Sequence, residues 1–148
     1  MKTLLLLITL FAFLQSAFLP VNLVLVLIVA RSLIIDDRDN LFLAFFGGLI
    51  LSFLTQVNLG YYPLVFILIV KMAGLLKKLP VSFHTLTILF CGALLLSSGA
   101  VLNSIFAGID LEFTTLLIES ILVIPAYFLI RIWEERFIVK SQKLRIGK

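Results

Sequence analysis

One cysteine, one histidine and one tryptophan occur in 148 residues. A lone cysteine, Cys91, forms no intrachain disulfide, and with the single His84 it composes no metal cluster. Charge is scarce as well. Asp, Glu, Lys and Arg make up 14% of the chain, against about a quarter in soluble domains. No motif spells out a nucleophile–base pair or a phosphate-binding loop. Internal repeats, low-complexity linkers and a second domain are also missing. The sequence therefore predicts a single domain that is neither an enzyme nor a metalloprotein, with no cofactor. The few Lys and Arg gather beside apolar runs, which argues against nucleic-acid binding.

What is present in excess is apolar side chain: 62% of residues are hydrophobic and the mean hydropathy is +1.23. A core built from so short a chain cannot hide that much, so lipid is expected to solvate it. Continuous apolar runs mean helices rather than barrel strands, because backbone groups in a bilayer must be satisfied within each segment. Six runs stand out, at 3–18, 21–35, 41–55, 61–76, 81–107 and 114–132. The last two reach the roughly 20 residues needed to cross a bilayer. The first four are expected to span by borrowing flanking residues, tilting or thinning the bilayer. The fold class predicted is an all-α membrane protein with six transmembrane helices. The 12 Lys and Arg residues orient it, since with both termini cytoplasmic the three outer turns carry none. Lys2 followed by an apolar stretch also reads as a signal peptide. Cleavage after Ala17, however, places Gln15 where a small residue is wanted, so a retained span is the expectation.

Residues 38–64 organise the chain. Ala44, Gly48 and Ser52 fall four apart and form a small-residue stripe on one helix. Such stripes let helix backbones approach closely where the hydrophobic effect gives little drive to associate. A tight reversal at 56–60 follows, with Gly60 free to take positive φ and Tyr61 and Tyr62 placed for the membrane–water interface. A second stripe, Ala93, Ser97, Ala100 and Ser104, lies on the fifth helix, with Gly92, Gly99 and Asn103 on an adjacent face. Pro80 and Gly108 bracket that helix. Both stripes are candidates for helix packing or a partner interface.

Among the polar residues inside apolar runs, Gln15, Asn103 and Glu119 stand out, and Glu119 is the one acid well inside a run. Glu119 reads first as structural glue to a polar neighbour such as Gln15, Ser97, Asn103 or Ser104, then as an interfacial carboxylate, then as a proton or cation site. His84 reads as an interface residue and Pro125 as a bend. Residues 131–148 hold six basic residues and two acids, a net of +4 that equals the charge of the whole chain. This basic tail, 133–148, either binds anionic head groups or only fixes orientation, and both readings stay open.

The 38–64 stretch resembles the MreD family of bacterial rod-shape-determining membrane proteins. The resemblance is carried by Arg38 and Asn40 at the helix start, by Ala44 and Gly48, and by Leu59–Gly60 after the turn. Gln15, Pro20, and Pro125 followed by Arg131 are similar too. Ser52 departs from the pattern, since family members often carry an acid there, and no role of that acid is carried over. The resemblance covers most of the chain, on small residues and turns with no catalytic signature. It implies a scaffold in the bacterial inner membrane that contacts an MreC-like protein. Through that partner it would link an MreB-like cytoskeleton to cell-wall synthases in lateral peptidoglycan synthesis. It also implies a fold similar to the substrate-binding components of energy-coupling-factor transporters. The rival reading comes from that class, a small membrane subunit that captures a vitamin-like solute. Its polar pocket would draw on Gln15, Asn22, Gln56, Asn58, Asn103, Asp110, Glu112 and Glu119.

Overall fold

A computed structural model describes residues 2–18, 21–35, 37–56, 58–77, 85–107 and 112–137. Pro20, Pro80, His84, Gly108, Asp110 and the tail beyond 137 lie outside the described residues. The described residues form six α-helices and no strands: α1 (Lys2–Phe18), α2 (Leu23–Ile34), α3 (Arg38–Thr55), α4 (Tyr61–Lys77), α5 (Thr85–Ala107) and α6 (Phe113–Phe137). Three of them carry windows long and apolar enough to cross a membrane: Arg38–Thr55, Thr87–Ile105 and Phe113–Glu134. Large apolar side chains cover the outside, among them Leu6, Phe53, Leu64, Phe90, Ile105 and Leu129. So much exposed apolar surface suits a lipid environment.

The architecture is centred on α2. It meets each of the other five helices, and every residue from Val24 to Leu33 is buried. It is also the shortest helix, with 12 residues. At 1.5 Å per residue it is about 18 Å long, well short of the roughly 30 Å of a bilayer's hydrocarbon core. Its ends therefore fall inside the protein, where their backbone groups need internal partners.

The most extensive contact joins α3 to α4 across the short turn. Gln56 (φ 55°) and Gly60 (φ 116°) both take the left-handed conformation there. Tyr62 is buried and packs its ring against Tyr61 and Phe66. The sixth helix also runs past the apolar run expected for it, reaching Phe137 and carrying Trp133, Glu134 and Arg136 as further helical residues. The physical reason lies in the site described next, where Glu134 is drawn inward.

Candidate functional site

The polar side chains converge on the two ends of α2. At its start, Asn22 is the N-cap, and its Oδ1 accepts from the Leu25 amide at 3.1 Å. Gln15 Oε1, from α1, accepts from the Val24 amide at 3.2 Å. Glu119 Oε1, from α6, accepts from the Asn22 amide at 2.7 Å. The Leu23 and Val26 amides bond the carbonyls of Val21 and Asn22. Every amide of the first turn thus has an acceptor, and three helices are pinned at one point. A carboxylate here also meets the positive end of the helix dipole. Glu119 is therefore bonded to main chain, not to the side-chain partners expected on α5. Asn103 has a different role, its Oδ1 accepting from the Tyr61 hydroxyl at 2.7 Å and joining α5 to α4.

At the other end of α2, Arg31 is 4% exposed and donates through Nε to Glu134 Oε1 of α6 at 2.9 Å. Its Nη1 bonds Asn40 Oδ1 of α3, and Asn40 Nδ2 donates to the Ile35 carbonyl at 2.5 Å. Arg31, Asn40 and Glu134 are all buried, so one charge pair and one amide tie α2, α3 and α6 together. Glu134 Oε2 is buried without a hydrogen-bond partner among the described residues. The pair was not foreseen. Arg31 reads in sequence as a boundary charge and Glu134 as part of the tail. A signal was nevertheless present. Among the described side chains of α6, those buried are Glu119, Val123, Ile130 and Glu134, one helical stripe with an acid at each end.

The small-residue stripes have different fates. Ala44, Gly48 and Ser52 are fully buried within the protein. A Cβ on Gly48 would lie 2.4 Å from the Pro63 nitrogen and 2.7 Å from the Tyr62 carbonyl carbon, so α3 and α4 touch backbone to backbone there. On α5, Ala93, Ser97, Ala100 and Ser104 are only half-buried. The tight packing of α5 runs instead through the adjacent face. A Cβ on Gly92 would meet Val123 of α6 at 2.7 Å, and one on Gly99 would meet Ile69 of α4 at 2.8 Å. Ser97 turns its hydroxyl back to its own helix, at the Leu94 carbonyl. It lines an open apolar groove of about 630 Å³ between α4 and α5, with Leu68, Met72, Leu75 and Val101.

Of the residues that carry the family resemblance, Asn40 is in the buried polar cluster. Arg38, Leu59, Gly60 and Arg131 are exposed, and Pro125 lies on an exposed face of α6. No ion-binding group of three or more His, Cys, Asp or Glu is found among the described residues. Comparison of the chain with protein-family models, curated proteins and solved structures finds no match.

Proposed function

We propose that the chain is a non-catalytic scaffold of the bacterial inner membrane that binds an MreC-like membrane protein and supports lateral cell-wall synthesis. The observation that carries this reading is the α5 stripe. Ala93, Ser97, Ala100 and Ser104 are half-buried and Ser97 lines a wide apolar groove, while the contacts that hold α5 in the bundle use Gly92 and Gly99. A small-residue face left at the surface of a membrane bundle suits the close approach of another helix. In this reading all six helices lie across the membrane with both termini cytoplasmic. Helices α1 and α4, each of 17 residues, span with local thinning of the bilayer, and α2 is carried inside the bundle without facing lipid over its whole length. The link to an MreB-like cytoskeleton and to cell-wall synthases, and a fold akin to the energy-coupling-factor substrate-binding components, rest on the sequence resemblance alone.

The solute-capture alternative is weakened by how the polar residues are used. Gln15, Asn22 and Glu119 serve the start of α2, Asn103 serves Tyr61, and Glu112 accepts from Thr115. The test is co-purification in mild detergent with the MreC-like protein of the same genome, at low and high salt. Association through close apolar packing should persist at both. Replacing Ala93, Ser97 and Ser104 together by Leu should abolish it while the protein stays folded. Absence of any such partner in either salt, together with a tightly bound small molecule, would reject the scaffold in favour of capture.

A further inference from the structure

A second lateral groove differs from the first in shape and chemistry. The Cα atoms of α1 and α6 stay more than 8 Å apart in nearly all pairs among the described residues, and α2 forms the floor between them. Leu7 and Phe11 of α1, Val26 of α2, and Leu122, Ala126 and Trp133 of α6 are among its walls, and no charged side chain lines it. Its volume is about 280 Å³. From Leu122 to Trp133 it follows α6 for about 16 Å at 1.5 Å per residue, close to half of a roughly 30 Å hydrocarbon core. The groove is about one leaflet long.

The lining of α6 recurs at helical spacing through Leu122, Pro125, Ala126, Leu129, Ile130 and Trp133. The next position on that face, three residues after Trp133, is Arg136, which is exposed in the last turn. Trp133 has the amphipathic ring that settles at head-group level. Glu134 is buried against Arg31. The Trp133 end of the apolar slot thus has the exposed Arg136 one helical turn beyond it.

We propose that this groove holds one acyl chain of an anionic phospholipid, with the phosphate at Arg136. The chain would fill a slot walled by three helices and so bridge α1 to α6, whose backbones stand apart. The proposal shares no residue with the α4–α5 groove, so this lipid site and the partner reading can fail separately.

The experiment is native mass spectrometry of the purified full-length protein in mild detergent, with phosphatidylglycerol or phosphatidylethanolamine added. One phosphatidylglycerol should remain bound, with roughly fivefold preference over phosphatidylethanolamine for a single engaged basic residue. Arg136→Gln, which alters no packing in the groove, should erase that preference. Ala126→Phe should fill the slot and remove bound lipid of either kind, with thermal unfolding used to confirm the fold. Equal retention of both lipids by the wild type overturns the proposal, as does undiminished retention by a folded Ala126→Phe protein. A third arm places a cysteine by Ala126→Cys in a Cys91→Ser background. Its crosslinking in membranes to a second copy or to another protein would assign the groove to a protein instead.

Discussion

Gly47 and Gly48 are neighbours on α3 with different surroundings. A Cβ at Gly48 would enter the backbone of α4 at Pro63, whose nitrogen carries no hydrogen and so permits the close approach. A Cβ at Gly47 would lie 3.2–3.3 Å from the flexible ends of Ile8, Val24 and Ile28. Overpacking costs about 1–3 kcal/mol where side chains can shift, and more where backbone must move. Replacing a helical glycine by alanine returns about 0.8–1.0 kcal/mol of propensity. Gly48→Ala should therefore lose about 3 kcal/mol or more and separate α3 from α4, while Gly47→Ala stays within about 1 kcal/mol of wild type. Thermal unfolding of the two purified variants checks this, and equal stability would show that the hairpin is held elsewhere. The spacing of Ala44, Gly48 and Ser52 made the stripe legible in sequence. Which of two adjacent glycines meets the neighbour was not legible, because it depends on where Pro63 falls across the turn.

At the scale of the element, α2 explains why the polar residues sit where they do. A short buried helix exposes its unpaired amides and carbonyls to an apolar interior, and such groups are costly unless bonded. Glu119 and Gln15 accept from amides at the first end, and Asn40 donates to the Ile35 carbonyl at the second, beside the Arg31–Glu134 pair. Gln15 and Glu119 were legible as polar intruders in apolar runs. Arg31 and Glu134 were not, because each stands near the edge of a run, where charge ordinarily marks the end of a span. Removing one member of a buried pair strands the other, at a cost of about 3–5 kcal/mol, whereas replacing both by apolar groups is often near neutral. Glu134→Leu alone should be the more damaging change, and Glu134→Leu with Arg31→Leu should recover much of the loss. A double-mutant cycle in thermal stability measures the coupling. Additive losses would show that Arg31 and Glu134 act independently.

The described residues present many large apolar side chains outward and set several buried polar bonds at the ends of one internal helix, the inverse of a soluble domain's pattern. Composition alone made the helical class and the lipid setting legible. The run lengths did not reveal that α2 is central, because periodicity says nothing about a helix that is apolar on every side. Orientation is the property of the whole molecule that remains to be measured, and α3 is the element that reports it. It has 18 residues, is apolar enough to cross a membrane, and ends at two exposed positions, Asp37 before its start and Asn58 after its end. The distribution of Lys and Arg predicts Asp37 on the cytoplasmic side and Asn58 outside. Single cysteines introduced as Asp37→Cys and Asn58→Cys, each in a Cys91→Ser background, can be treated on intact cells with an impermeant thiol reagent. Asn58→Cys should label at once and Asp37→Cys only after the cells are permeabilised. The opposite pattern would invert the protein in the membrane and move the basic end of α6, with the lipid site at Arg136, to the outer leaflet. Labelling of both on intact cells would mean that α3 does not cross.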